Sequence, residues 1–109
     1  MTSALTDKQY NELIQARLKS PESFKKALVS RKRRKMVGKD GRLLIVAADH
    51  TARGIISAGS EKYIIANRRL LLDRLVRSLS NPNVDGVLAS ADIVEELAWL
   101  GALESKLVL

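Results

Sequence analysis

An aspartate and the only histidine of the chain, Asp49 and His50, directly follow six apolar residues at positions 43–48. A carboxylate held at the edge of a low-dielectric core has a pKa that its surroundings can tune, and histidine exchanges protons near neutral pH. We therefore take Asp49 as the strongest candidate for acid–base chemistry. His50, the next residue, is a second candidate for acid–base chemistry or hydrogen bonding. The alternatives are a turn cap for Asp49 and a surface or hydrogen-bonded core histidine for His50.

Two further residues, Arg53 and Ser90, are candidates for binding a substrate. Arg53 precedes Gly54 and could hold an anionic group, although a solvated arginine is the simpler alternative. Ser90 follows a second apolar stretch at residues 84–89. The carboxyl ends of parallel strands lie along one edge of a sheet. That edge selects Asp49, His50, Thr51 and Arg53 after the first apolar stretch, and Ser90 and Asp92 after the second.

The strands and helices that must position these side chains are predicted from two different spacings of apolar residues, which alternate along the chain. Short apolar runs predict strands at residues 43–48, 84–89 and 107–109, and helical spacing predicts helices at residues 61–79 and 91–100. This order is the βαβ repeat, whose strands are parallel and whose crossovers are right-handed. The apolar trio at the end of the chain suggests an unfinished strand, so we expect the 109 residues to begin a longer α/β protein.

Residues 1–41 form a helical, basic N-terminal extension in this interpretation, and residues 42–109 hold the βα units. Thr6 with Gln9 is a capping-box pattern at the start of a helix whose apolar face includes Leu18. A second helix is expected to run into the basic residues that follow it, with Phe24 and Leu28 on its buried side and Val29 as a further candidate there. Residues 1–42 carry 12 basic and 4 acidic side chains, against 7 and 8 in residues 43–109. The cluster RKRRK at residues 31–35 is best explained as a solvated face or a contact with another domain or subunit.

Composition excludes several classes of site. With no cysteine, the chain has no disulfide, no thiolate zinc site and no thiol nucleophile, and one histidine builds no histidine-based metal site. Neither GxGxxG nor a Walker A pattern is present, so no cofactor and no metal are expected. Because no apolar run reaches the roughly 18 residues of a membrane span and the first residues lack a signal-peptide pattern, we expect a cytoplasmic protein without a membrane partner.

The segment RLLIVAADHTARG at residues 42–54, with the extension before it and DGVLAS at residues 85–90 after it, resembles a known family. It is similar to the start of class I aldolase-type (β/α)8 barrels, in a bacterial branch described as deoxyribose-phosphate or fructose-bisphosphate aldolase-like. The resemblance implies the N-terminal part of a TIM barrel, about two and a half βα units.

The resemblance also implies a function. The expected reaction is cleavage or formation of a carbon–carbon bond in a phosphorylated sugar or polyol, through a lysine Schiff base beyond Leu109. Asp49 and His50 would be catalytic, Arg53 and Ser90 would bind substrate, and the full protein would be a homo-oligomeric enzyme whose isolated first part is inactive. Asp49 in particular would hydrogen-bond substrate hydroxyls or assist proton transfer.

Two other functions stay open on the sequence. The first is a small basic module that binds nucleic acid or an acidic protein through residues 25–42. Nucleic acid is the less expected partner, because the basic run lacks interleaved aromatic residues on which bases could stack. The second is a sugar-phosphate-binding barrel without catalytic activity.

Overall fold

The computed structural model describes residues 5–36, 41–48 and 68–109, which form four helices and three strands. In chain order the elements are α1 Asp7–Lys19, α2 Glu22–Ser30, β1 Ile45–Ala48, α3 Arg68–Leu79, β2 Gly86–Ala89, α4 Ala91–Trp99 and β3 Leu107–Val108. The three predicted strands are present but shorter than predicted, and α3 and α4 agree with the predicted helices over the described residues. No helix in these ranges is both long and apolar enough to cross a membrane.

The three strands form one parallel sheet in the order β1-β2-β3. Ile45 of β1 pairs with Gly86 of β2, and Gly86 pairs in turn with Leu107 of β3. A Cβ atom added to Gly86 would lie 2.7 Å from the Cβ atom of Leu107, so β2 and β3 approach closely because this position has no side chain. The α/β class and the parallel pairing are as the sequence predicts.

The prediction that residues 42–109 form the first two and a half βα units of a (β/α)8 barrel is wrong, and with it the alternative of a sugar-phosphate-binding barrel without catalytic activity. The described residues form a compact α/β arrangement with an open three-stranded sheet, in which β1 and β3 each pair only with β2. The hydrophobic pattern that predicts βαβ units is common to open and closed parallel sheets, because closure depends on strand tilt and stagger and not on the local period.

The main core lies between the sheet and the helices α3 and α4. Val87 at the centre of β2 is fully buried, and Leu72 of α3 and Leu97 of α4 are buried with it. Leu5, which precedes α1, belongs to the same cluster, and its backbone N–H donates to Oδ1 of the buried Asp73 at 2.8 Å. The N-terminal residues thus complete the core that the sheet and the later helices build.

The first N-terminal helix begins as the sequence predicts, whereas both N-terminal helices expose residues that the sequence places on their apolar faces. The capping box is confirmed, since Gln9 N–H donates to Thr6 Oγ1 at 3.1 Å and Thr6 N–H donates to Gln9 Oε1 at 3.0 Å. Phe24 is buried, as predicted, and stacks on Trp99 with ring centroids 5.7 Å apart. Leu18 and Val29, expected on the apolar faces, are instead exposed.

The second helix ends before the basic cluster, whereas the sequence suggests that it runs into it. Arg31 has extended backbone angles, with φ −62° and ψ 150°. The next residue, Lys32, donates its backbone N–H to Glu104 Oε2 at 2.7 Å and accepts from Ser105 N–H at 2.8 Å. These contacts with a distant loop replace the hydrogen bonds that a continued helix would make, so the reason for the early end is tertiary.

Candidate functional site

Of the four residues predicted to form the site, the structure describes one. Asp49, His50 and Arg53 lie outside the described residues, and their proposed roles stay predictions. Ser90 is described: it is half-buried, directly follows β2 and is the N-cap residue of α4. We use the term carboxyl edge for the edge of the sheet at which β1 and β2 end.

The pairing of β1 with β2 brings the ends of both strands together at this edge. Ala48, the last described residue before Asp49, pairs with Ala89, the residue before Ser90. The parallel register therefore matches the two positions at which the sequence places its candidate residues. This is the feature of the fold that bears most directly on the predicted site.

Ser90 does not use its hydroxyl to cap α4. Its backbone is extended, with φ −66° and ψ 157°, as is usual for an N-cap residue, yet its side chain makes no capping hydrogen bond. The hydroxyl instead donates to Asp92 Oδ1 at 2.6 Å. With its proton committed to a carboxylate, the Ser90 oxygen is left as a hydrogen-bond acceptor.

Asp92 is held by an arginine on the neighbouring helix. Arg68 Nη1 donates to Asp92 Oδ2 at 2.8 Å, although the Asp92 side chain remains 54% exposed. Partial burial acts to raise the pKa of Asp92, but the hydrogen bonds from Ser90 and Arg68 outweigh it and hold the pKa below its ordinary value. Asp92 is therefore ionised at neutral pH.

Glu96 lies one helical turn beyond Asp92 and is buried to 2% exposure. Arg68 Nε donates to its two carboxylate oxygens at 2.9 and 3.1 Å, and Arg17 of α1 approaches Glu96 Oε1 to 3.6 Å. Burial acts to lower the pKa of Arg68, yet the hydrogen bonds to Glu96 and Asp92 raise it above its ordinary value. Glu96 thus fixes the arginine that holds Asp92.

Sequence reasoning missed Arg17, Arg68 and Glu96. One signal was available, because Glu96 lies between Val94 and Leu97 within the apolar pattern of α4 and four residues after Asp92, hence on the same helical face. An ionised side chain at a core position is costly unless it is paired, so such a residue predicts a cationic partner nearby. Nothing local identifies Arg17 as that cation, since it lies 79 positions earlier in the sequence.

The opposite edge of the sheet carries a second polar group and a cleft. Asp85, before β2, accepts from Arg34 Nη1 at 2.5 Å and from Leu44 N–H at 2.7 Å. Lys106 donates through Nζ to the carbonyl oxygens of Asn81 and Val84, so it lies away from the carboxyl edge.

A cleft of about 260 Å³ opens here between the ends of α3 and α4, and its lining includes Ser80, Glu104 and Lys106. These three polar side chains already bond to the protein, because Ser80 donates to the Arg77 carbonyl and Glu104 accepts from Lys32 N–H. We therefore place the candidate site at the carboxyl edge and not in this cleft.

Comparison with known proteins identifies the relatives of this chain. A protein-family model described as Cgl0159-like matches residues 41–109. A crystal structure of Cgl0159 from Corynebacterium glutamicum matches with a TM-score of 0.93 and 39% sequence identity, over 98% of this chain and 36% of that chain. This chain therefore spans about a third of the length of the solved relative. No curated protein matches.

These matches correct the family expected from the sequence. The family found is Cgl0159-like, so the resemblance to class I aldolase-type barrels is wrong, and the carbon–carbon lyase reaction through a Schiff base falls with it. The motif that carried the resemblance, an apolar strand followed by Asp49 and His50, is short. An aspartate at the end of a buried strand suits many α/β proteins, because that edge is where such folds place polar groups.

Proposed function

The chain belongs to the Cgl0159-like family, and on that premise we propose that it binds a small hydroxylated molecule at the carboxyl edge of its parallel sheet. The observation that carries this proposal is the pairing of Ala48 with Ala89, the residues that precede Asp49 and Ser90. In open parallel sheets, ligands bind beyond the carboxyl ends of the strands because the loops that follow the strands leave a crevice there.

The hydrogen-bonding character of the described groups supports a hydroxylated ligand. The Ser90 oxygen, with its proton directed to Asp92, accepts a hydrogen bond, and the ionised Asp92 carboxylate accepts others on its exposed side. Two acceptors side by side fit a ligand that supplies donors, and neighbouring hydroxyl groups do so. Asp49 and His50, predicted from the sequence, would add a further acceptor and a proton-exchanging group.

We assign binding and not a complete reaction to this chain. The solved relative is longer than this chain, which covers 36% of it, so a protein of that length contains groups that this chain lacks. The activity and the substrate of such a whole protein are therefore not assigned to this chain. Whether the whole protein is an enzyme is therefore a separate proposal, which an activity screen of a full-length relative tests. A cytoplasmic location also stays a prediction, to be checked by cell fractionation.

The test of the binding proposal is a nuclear magnetic resonance titration of the ¹⁵N-labelled chain with glycerol, glycerol 3-phosphate and inorganic phosphate as separate probes. We expect glycerol and glycerol 3-phosphate to shift the amide signals of Ala48, Ala89 and Ser90. Asp49→Asn should weaken this binding about tenfold, because it removes the charge from a hydrogen-bond acceptor.

Glu12→Gln is the matched control, since it removes one charge from an exposed position on α1. Phosphate alone should produce little change at the carboxyl edge if hydroxyl groups carry the recognition. Shifts confined to the cleft at the opposite edge, or no shifts with either glycerol compound, would disprove the proposed site.

A further inference from the structure

One strongly charged surface of the molecule takes no part in the candidate site. It is formed by the outward side of α2 and the segment that follows it, and we call it the basic surface. Its five exposed cations are Lys25, Lys26, Lys32, Arg33 and Lys35. No acidic residue occurs between positions 25 and 36, so the charge of this stretch is not compensated within it.

Two large apolar side chains are exposed among these cations. Val29 is 65% and Met36 is 54% exposed. Lys25 and Lys26 precede Val29 by four and three positions, so all three share one face of α2. The opposite face is occupied, because Phe24 is buried against Trp99 and Leu28 packs against the core.

The segment after α2 is attached to the domain by its other residues. Arg31 Nη1 donates to the Lys106 carbonyl oxygen at 2.8 Å, and Arg34 forms an ion pair with Asp85 at 2.5 Å. Between them, the backbone of Lys32 bonds to Glu104 and Ser105. These contacts direct two of the basic residues inward and leave Lys32, Arg33 and Lys35 exposed on a backbone that is already ordered.

We propose that the basic surface docks an acidic protein segment that presents apolar side chains among its carboxylates. Complementary charge favours an acidic partner, and an ordered backbone lowers the conformational entropy lost on binding. From Val29 to Met36 the chain spans at most roughly 25 Å when extended, which suits a partner patch of standard interface size. This proposal is independent of ligand binding at the carboxyl edge.

Val29 and Met36 distinguish a protein partner from a nucleic acid. A phosphate backbone pairs with the cations but offers no apolar surface to these two side chains, and the basic surface contains no aromatic ring on which a base could stack. A protein segment with leucine or phenylalanine among acidic residues buries both. Methionine adapts to partners of varied shape, and it is enriched in protein interfaces.

The experiment measures binding of fluorescein-labelled probes by anisotropy at low salt. The first probe is a 20-residue peptide with glutamates and leucines, and the second has the same number of glutamates with glutamine in place of leucine. We expect the leucine peptide to bind about tenfold more tightly, the advantage that burial of two apolar side chains provides. Lys25→Glu with Lys26→Glu should weaken both peptides about tenfold or more.

The controls separate charge, apolar contact and folding. Val29→Ser with Met36→Ser changes only exposed positions, and it should abolish the preference for the leucine peptide while circular dichroism stays unchanged. Lys8→Glu with Lys19→Glu reverses the same number of charges on α1, outside the basic surface, and should alter binding less than threefold, by long-range electrostatics alone.

A mixed-sequence 20-nucleotide single-stranded DNA serves as the third probe. If it binds more tightly than the leucine peptide, with an affinity that Val29→Ser and Met36→Ser leave unchanged, the surface is a nucleic-acid site and the proposal is overturned. Equal affinity for the two peptides, or no binding of either at low salt, overturns it as well.

Discussion

Glu96 is the residue on which the polar contacts between α1, α3 and α4 converge. Its carboxylate is buried and contacts Arg17 and Arg68, and those arginines also reach Glu95 and Asp92 respectively. A buried carboxylate costs desolvation free energy that its partners must offset. Removing its charge leaves Arg68 without its closest partner, whereas Arg17 keeps its nearer ion pair with Glu95 at 3.1 Å.

We expect Glu96→Gln to lower the free energy of unfolding by about 1–3 kcal/mol, a range reduced because both arginines are partly exposed. Asp92→Asn removes a more exposed partner of the same Arg68 and should cost less than about 1 kcal/mol. Urea unfolding of both variants measures the difference. Equal losses would mean that burial of Glu96 does not strengthen its ion pairs.

Asp85 makes the stability of the fold depend on pH. The hydrogen bond from Arg34 is the main cause that holds the pKa of this carboxyl below its ordinary value of 3.8, and the Leu44 N–H adds to it. Because the pKa of Asp85 is lower in the folded state than in the unfolded state, the ionised carboxylate stabilises the fold above pH 3.8. This stabilisation is lost as the pH falls through the lowered pKa of the folded state.

The urea midpoint of the wild type should therefore fall between pH 5 and pH 2.5, and part of that fall should be missing in Asp85→Asn. Asp7→Asn, at an exposed position, is the control. An unchanged pH profile in Asp85→Asn would show that Asp85 does not contribute to the acid sensitivity.

Helices α1 and α4 begin with different N-cap arrangements, although each follows a hydroxyl residue. Thr6 caps α1 through its side chain, whereas Ser90 begins α4 without a side-chain capping bond. Thr6→Ala should cost about 0.5–2 kcal/mol, the usual value of a lost N-cap. Ser90→Ala should cost less, because only its hydrogen bond to the exposed Asp92 is lost. Urea midpoints of the two variants provide the comparison, and a larger loss in Ser90→Ala would contradict it.

The contact between β2 and β3 depends on a missing side chain. Gly86 has no room for a Cβ atom beside Leu107, so Gly86→Ala forces the backbones of the two strands apart. We expect a loss of about 1–3 kcal/mol, the usual cost of overpacking. Gly101→Ala makes a useful contrast, since its Cβ would meet no atom within 4 Å and its cost would arise from a φ of +79°. In Gly86→Ala, amide exchange should quicken in β3, and unchanged exchange there would show that the strands accommodate the methyl group.

At the scale of the whole molecule, the N-terminal helices and the sheet share buried surface. Leu5 lies in the main core, and Phe24 of α2 stacks on Trp99 of α4. We therefore predict one cooperative unfolding transition. Trp99 is the only tryptophan, so its fluorescence reports on the contact with α2, and circular dichroism reports on all helices. Coincident urea transitions are expected, whereas an earlier fluorescence change would show that α2 detaches first.

The local features of this fold follow from the sequence because they depend on neighbouring residues. The Thr6 capping box, the helical period of α1 and the apolar runs of the strands are set by residues within a few positions of one another. The βαβ order is read from the succession of these local patterns, and strands joined by such crossovers are parallel. Ser90 was correctly placed just beyond a strand for the same reason.

Other features were decided only by tertiary structure. The open sheet in place of a barrel, the end of α2 before the basic cluster and the burial of Glu96 between Arg17 and Arg68 all depend on residues far apart in the chain. The basic cluster illustrates the difference: its composition predicts a charged surface, but only the contacts with Asp85, Glu104 and Lys106 decide which of its residues face outward. The spacing of residues in the sequence determines the helical or strand period and the N-caps. The packing of the helices and strands determines which residues from distant parts of the chain contact one another.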